Sequence, residues 1–571
     1  MFMRKDGSLI IQSDNTVLLD GRHLTSKEAA ERLARFADLV KRPGDLHTYR
    51  FTPLSVWNAC AAGGTAQQMI DTLQAFSKYE VPMTAASNIR EWADRYGKLC
   101  LRHQHGSMTL TVDCEAARSL LMDKKAVGDA LLRQLSDNVW EVKPSERGRL
   151  KQELLRQGYP VLDLAGYHAG ESLKVALLQE TKSGRSFRLR DYQEQAADLF
   201  YSEGNVHGGS GVLVLPCGAG KTVVGIAALS RLNCATLILT SNVTSVKQWK
   251  NELLDKTTLT PAEVGEYAGP LKQVRPVTIA TYQIMTHRSS KQHEYTHMKL
   301  FRERDWGLII YDEVHLLPAP VFRMTAEIQA TRRLGLTATL VREDGCEGDV
   351  FSLIGPKRFD MPWKQLEQQG WIASVSCTEF RVPLTGTYAE CYYQAAPKGK
   401  LRLASENPNK ADVVQSLLDL HEDKQMLIIG QYLTQLRQLA DRFKLPLLTG
   451  STPHHEREMW FNRFKAGDVR ALIVSKVANF AIDLPDAAVA VQVSGSFGSR
   501  QEEAQRIGRI LRPKPNANEA WFYSVVTTGT KETEFALKRQ LFMTEQGYQY
   551  QLVNWSESME INGEQAQEVA K

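Results

Sequence analysis

Lys221 and Thr222 close the run Leu215-Pro216-Cys217-Gly218-Ala219-Gly220-Lys221-Thr222, whose order of small, cationic and hydroxyl residues suits the binding of a polyphosphate. Gly218 and Gly220 can take backbone angles closed to other residues, so amide N–H groups can turn inward on a phosphate. The Lys221 ammonium would neutralise the β- and γ-phosphates of ATP, and the Thr222 hydroxyl would sit on Mg²⁺. Leu215 stands where the full phosphate-loop pattern has glycine. Two carboxylates follow 91 residues after Lys221, at Asp312 and Glu313. Asp312 would hold the Mg²⁺ through water, and Glu313 would orient or deprotonate an attacking water. Near the other end of the chain, Arg509 and Arg512 are three apart and share a helix face, with Gln505 four residues earlier on the same face. Planar guanidinium groups can stabilise charge developing on a γ-phosphate. A solvated basic helix would present the same pattern.

These groups need elements that place them together. The apolar run Gly211 to Leu215 precedes the glycine loop, and a helix is expected from Val223 to Leu232. The run Trp306 to Tyr311 is apolar throughout, as in a strand buried on both faces of a parallel sheet. Ligands of such sheets sit at the carboxyl ends of the strands, which is where Asp312 and Glu313 fall. Leu334-Gly335-Leu336-Thr337-Ala338-Thr339 reads as another strand end, with Thr337 and Thr339 able to relay contact to a neighbouring domain. Further strands are expected at Val212–Leu215, Thr236–Thr240, Val277–Thr281, Leu308–Tyr311 and Arg333–Leu336. A second series lies at Met426–Ile429, Leu445–Leu448, Ala471–Val474, Val489–Val493 and Trp521–Val525. Strands alternating with helical stretches predict an α/β chain with two tandem parallel-sheet domains, over residues 185–360 and 361–555. An α+β accessory region is expected over residues 1–170, and a polar tail over 556–571. Asp71–Phe76, Thr84–Tyr96 and the hairpin of Lys98–His103 with Ser107–Val112 have the order of a winged helix, with Arg90 and Arg95 on the second helix. Two core helices and a hairpin fit equally well.

Together the motifs resemble superfamily 2 helicases. Asp312 to His315, Gly335 to Asp344, Asn407-Pro408-Asn409-Lys410, Ser475-Lys476-Val477 and Gln505 to Arg512 look like the XPB helicase family. His47-Thr48-Tyr49-Arg50 and Pro144 to Lys151 extend the resemblance to the bacterial branch and to nearly the whole chain. The resemblance implies that the two parallel-sheet domains are tandem RecA-like motor domains, with ATP- and Mg²⁺-dependent 3′→5′ translocation and unwinding of single-stranded or forked DNA and with ATP between the two motor domains. It implies adenine recognition by Arg190 and Gln193, a nucleotide contact from Asp483, and coupling through His315, Thr337, Thr339 and Gln505. It places Asn242, Gln248, Thr281, Tyr282 and Ser475 near the DNA strand, links Arg342 to strand separation, and offers for residues 85–165 an accessory DNA-probing domain as an alternative to the winged helix. Two departures stand out. The segment from Val382 to Lys410, with Tyr388, Tyr392, Tyr393, Lys398, Lys400 and Arg402, is short where some relatives insert a thumb. Ala481 stands where many superfamily members have glycine. A double-stranded DNA translocase and an ATP-gated DNA-binding scaffold are the alternatives, and the motor motifs also suit an RNA helicase.

The 571 residues suit three or four domains, and the net charge of +5 is small for that length. Any nucleic-acid track must therefore be a local arrangement of charge. The eight cysteines include no C-x-x-C pair, so neither zinc nor a redox motif is indicated, and scattered thiols suit a reducing cytoplasm. The chain starts without the apolar core of a signal peptide and contains no membrane-length apolar run. Repair or transcription proteins are candidate partners, and no membrane is expected.

Overall fold

The computed structural model describes residues 6–41, 45–104, 106–122, 127, 130–288, 295–329, 331–338, 347–475, 487–495, 507–508, 510 and 518–556. Thr339, Arg342, Asp483, Gln505, Arg509 and Arg512 lie outside the described residues. The chain divides into two compact units, Met1–Leu215 with Gly220–Met361, and Pro216–Ala219 with Pro362–Lys571.

The first unit is built around an eight-stranded sheet. Its order runs Leu271–Lys272, Val264–Ala268, Val277–Thr281, Thr236–Thr240, Leu308–Asp312, Arg332–Thr337, Ser210–Val214 and Lys357–Asp360. All neighbouring pairs are parallel except the first. The central strands are buried at almost every position, which explains their continuous apolar runs. Burial of each large side chain, such as Ile309 or Ile310, contributes roughly 1.5–3 kcal/mol. Register aligns the carboxyl ends: Val214 lies opposite Thr337, Leu336 opposite Asp312, and Thr240 opposite Thr281. One edge of the sheet therefore collects the glycine loop, both carboxylates and the threonine-bearing strand ends.

Ahead of this sheet lie two smaller ones. A four-stranded antiparallel sheet, ordered Leu9–Ile11, Thr16–Asp20, Leu46–Arg50, Asp38–Lys41, shares one core with the helices Ala66–Phe76 and Met83–Arg95. A five-stranded sheet, ordered Leu131–Ser136, Val139–Val142, Ser107–Val112, Leu99–Gln104, Val161–Leu164, has its own core. The hairpin considered as a wing is thus flanked on both sides by other strands, and it closes on a different core from the two helices. Arg95 is engaged internally: Nη1 donates to the Gly158 carbonyl at 3.3 Å, and its guanidinium lies over the Tyr159 ring. Of the two helical readings, two core helices and a hairpin describe this arrangement.

The phrase Pro144 to Lys151 has a physical basis. Gly148 begins the second position of the helix Arg147–Arg156, and a Cβ there would lie 2.3 Å from the Ala326 carbonyl oxygen. Arg147 and Lys151, one turn apart, converge on Asp163 at 2.7 and 2.8 Å, and Lys151 also donates to Gln329 at 2.5 Å. Burial disfavours charge on Asp163, yet Lys151 and Arg147 hold its carboxyl well below the usual carboxylate range. This cluster joins the five-stranded sheet to the helices flanking the eight-stranded one.

The second unit holds a seven-stranded, wholly parallel sheet. Its order is Leu447–Leu448, Ala471–Ser475, Met426–Gly430, Val489–Gln492, Glu519–Thr527, Ser374–Val382 and Tyr550–Asn554. Lys410 is buried and its Nζ lies 2.8 Å from the Glu532 carboxylate and 2.9 Å from the Val493 carbonyl. Glu532 also accepts from Ser405 Oγ and from the Thr527 amide. Replacing Lys410 with Met strands a buried carboxylate. Lys410→Met is therefore expected to destabilise this unit by about 3–5 kcal/mol, read as a lower urea midpoint of its unfolding transition. The short segment noted above forms two helices, Gly386–Gln394 and Pro397–Ser405, with Lys400 Nζ over the Tyr392 ring and Tyr393 72% exposed. No helix among the described residues is long and apolar enough to cross a membrane.

Candidate active site

The glycine loop leaves the Ser210–Val214 strand through Leu215, whose amide continues the ladder by donating to the Thr337 carbonyl at 2.9 Å. Leu215 is fully buried, so the position that departs from the pattern serves as strand and core. Gly218 and Gly220 have φ of +82° and +80°, the left-handed conformation that favours glycine. Gly220 caps the helix Lys221–Leu232, which directs that helix's free amides and its positive dipole end toward the loop. A Cβ at Gly220 would also fall 2.6 Å from Gln193 Nε2. Gln193 is itself buried, and its Oε1 accepts from the Arg190 amide at 3.1 Å, while Arg190 Nη1 donates to the Tyr192 hydroxyl. Of the two residues expected to read adenine, Gln193 thus stands directly beside Gly220 of the phosphate loop, and Arg190 is bonded to Gln193 through its amide.

Lys221 Nζ lies 3.2 Å from Glu313 Oε1, with both side chains largely covered. Glu313 has φ of +52°, a rare conformation for a residue with a side chain, at the turn that ends the Leu308–Asp312 strand. That turn sends Glu313 toward Lys221 while Asp312 continues the strand. Burial, then the neighbouring Glu313, push the Asp312 carboxyl up to about 6. A hydrogen bond from the Trp249 indole and the Lys221 charge oppose that rise. His315 is buried, and its Nδ1 lies 2.7 Å from Thr337 Oγ1 and 3.5 Å from Glu313 Oε2. Three expected contributors, Glu313, His315 and Thr337, therefore meet as one chain of polar contacts. A half-buried hydroxyl at Thr222, a shielded carboxylate at Asp312 and a nearby ammonium form a hard-oxygen, anion-attracting set that suits Mg²⁺ with a polyphosphate.

The residues expected near a nucleic acid divide. Asn242 is the N-cap of the helix Val243–Lys256, its Oδ1 accepting from the Ser245 amide at 2.9 Å, and Gln248 on that helix is exposed. Thr281 caps the short helix Tyr282–Met285 and is buried at a strand end. Tyr282 is also buried, and its hydroxyl donates to the Asp312 carbonyl at 2.9 Å, which braces the carboxylate-bearing turn from behind. Ser475 ends the Ala471–Ser475 strand of the second unit and is 5% exposed. Trp249 was not legible as a site residue. Its Nε1 donates to Asp312 Oδ2 at 2.9 Å. A tryptophan on the apolar face of a helix reads as core, and only the fold brings it 63 residues across to Asp312.

Residues 366–570 match the family described as ERCC3/RAD25/XPB C-terminal helicase. Residues 186–342 match the res subunit of type III restriction enzymes, and residues 9–136 a helicase conserved C-terminal domain. The chain is 52% identical to the DNA 3′-5′ helicase XPB of Mycobacterium tuberculosis, over 95% of this chain and 97% of that protein. It is 50% identical to the protein of the same name from Kineococcus radiotolerans, over 96% and 97%. It is 30% identical to the general transcription and DNA repair factor IIH helicase/translocase subunit XPB/SSL2 of Saccharomyces cerevisiae, over 96% of this chain and 72% of that one.

Proposed function

The chain belongs to the XPB family of DNA 3′–5′ helicases, and on that premise we propose that it couples ATP hydrolysis to 3′→5′ movement along DNA with separation of the strands. The observation that carries this is the convergence of Gly220, Lys221, Asp312 and Glu313 at the carboxyl edge of one parallel sheet. Gln193 holds the base, and the loop amides with Lys221 hold the phosphates. Thr222 and Asp312 would hold Mg²⁺, which would supply positive charge against the polyphosphate. Glu313 takes a proton from the attacking water, and His315 and Thr337 report that change to the rest of the motor. Arg509 and Arg512 stabilise charge on the transferred phosphoryl group, with Asp483 and Gln505 supporting the nucleotide. Asn242, Gln248, Thr281, Arg342 and Ser475 are proposed on the DNA side, through sequence-independent backbone contacts that weaken with salt. Proteins of transcription or repair are the proposed partners, and the cytoplasm the proposed location.

The test is ATP hydrolysis with single-stranded DNA, double-stranded DNA or RNA, with Lys221→Ala as the blank. DNA-stimulated turnover that vanishes in the blank supports the motor; equal turnover in the blank rejects it. Displacement of a strand from a forked duplex, as opposed to displacement of a triplex strand alone, separates a helicase from a duplex translocase.

A pH dependence follows from Asp312. As pH falls through about 6 the carboxyl gains a proton and loses its attraction for the metal. Turnover at fixed, subsaturating Mg²⁺ is expected to drop about tenfold per pH unit below that point. Stability runs the other way. The folded chain binds this proton more tightly than the unfolded chain, whose value is near 3.8, so Asp312 makes the nucleotide-free protein less stable as pH rises toward about 6. A pH–rate profile flat between pH 5 and 7 at that subsaturating Mg²⁺ would remove Asp312 from the metal site.

A further inference from the structure

Trp249 is 1% exposed and does two things at once. Its Nε1–H donates to Asp312 Oδ2 at 2.9 Å. The far edge of the same indole covers Gly225 in the helix that starts at Lys221; a Cβ on Gly225 would fall 2.5 Å from Trp249 Cη2 and 3.3 Å from Cζ3. One side chain thus bridges the metal carboxylate and the phosphate-binding helix. Its own helix, Val243–Lys256, starts at the Asn242 cap and exposes Gln248, the residue beside it. From Asn242 to Trp249 is about two turns of helix, a rigid path of roughly 10 Å.

The last torsion of an aspartate side chain is soft, with broad two-fold wells. A single fixed donor on one oxygen selects the plane of the carboxylate and leaves the other oxygen to face the ligand. We propose that Trp249 is a positioning residue for the hydrolysis reaction: by holding Oδ2 of Asp312 it turns Oδ1 toward the water shell of Mg²⁺, and its helix carries engagement of DNA at Asn242 and Gln248 to that carboxylate. The inference rests on the reading of this site as an ATP-hydrolysing motor on DNA.

Two proteins test it, Trp249→Phe and the full chain with 3-benzothienylalanine at position 249. The second keeps the two-ring shape over Gly225 and replaces only the N–H with sulfur, so it remains informative if the first folds poorly. ADP binding is titrated by calorimetry across Mg²⁺ concentrations, with and without duplex DNA. Metal-free ADP affinity is expected to match the wild type. The Mg²⁺ midpoint for strengthening ADP binding is expected to rise about tenfold, the lower end of the effect of removing a group that orients a metal ligand. DNA is expected to lower that midpoint in the wild type and to leave it unmoved in both altered proteins. An unchanged midpoint in the benzothienyl protein overturns the positioning role, and a wild-type midpoint indifferent to DNA overturns the relay through the helix. Failure of the motor reading shows separately, as absent DNA-stimulated turnover in the wild type, because the DNA-free arm of the Mg²⁺ and ADP titration, which tests the positioning role, needs neither turnover nor DNA.

Discussion

Glu313→Gln is expected to bind ATP and Mg²⁺ with affinities near wild type and to lose about 10²–10⁴ in turnover, the contribution of a positioned general base. The amide keeps the volume and polarity of the carboxylate but cannot take a proton from water. The site geometry argues for the assignment over a purely structural role. Glu313 occupies a left-handed backbone conformation, φ +52°, that costs about 1–3 kcal/mol for a residue with a side chain. An ordinary strand end needs no such turn. The effect of the turn is to separate the directions of two adjacent carboxylates, so that Asp312 stays with the Trp249 indole and Glu313 reaches Lys221 and His315. Single-turnover hydrolysis alongside equilibrium nucleotide binding decides the matter. Turnover within threefold of wild type would move the base elsewhere. Weak binding with proportionately weak turnover would make Glu313 a partner for Lys221 and nothing more.

The elements that position this chemistry were legible where burial is two-sided. Thr236–Thr240, Val277–Thr281 and Leu308–Asp312 are apolar at successive positions because helices cover both faces of the sheet, and their ends fell within a residue of expectation. Ser374–Val382 does not read as a strand from its sequence, although it is a nine-residue interior strand. It carries Thr378, Glu379 and Arg381, and a charged pair argues against a buried strand until its partners are known. Glu379 is fully buried, and its carboxylate accepts from Arg381 at 2.9 Å and from Gln540 at 2.5 Å. Gln540 lies 161 residues away, beyond the reach of any local pattern. Distance in sequence hid Lys410 and Glu532 as a pair, and Trp249 with Asp312, in the same way. The phosphate loop was readable because its chemistry is local: backbone angles, an ammonium and a hydroxyl within five residues. The winged-helix order failed for a related reason. Helices and hairpin follow one another as in that fold, but nothing in their sequence says that Ile89 and Leu110 close different cores.

Arg509→Ala is expected to give the largest loss, about 10³–10⁵ in turnover, while the dissociation constant for ATP changes little. The reason is differential: a guanidinium that meets the γ-phosphoryl group only as charge develops on it contributes to the transition state and hardly to the bound ground state. Lys221→Ala should behave differently, since the ammonium beside Glu313 attracts phosphate charge from the outset, and both binding and turnover should fall together. Arg509→Lys refines the comparison. Lysine restores a positive charge but not the planar, bidentate fork, so partial recovery would show that charge dominates, and no recovery would show that geometry does. Arg512→Ala, three residues further on, tests whether the two guanidiniums act as a unit; if they do, the double variant should cost little more than Arg509→Ala alone. Turnover of Arg509→Ala within tenfold of wild type, with ATP binding intact, would show that the stabilising cation for this reaction stands elsewhere in the chain.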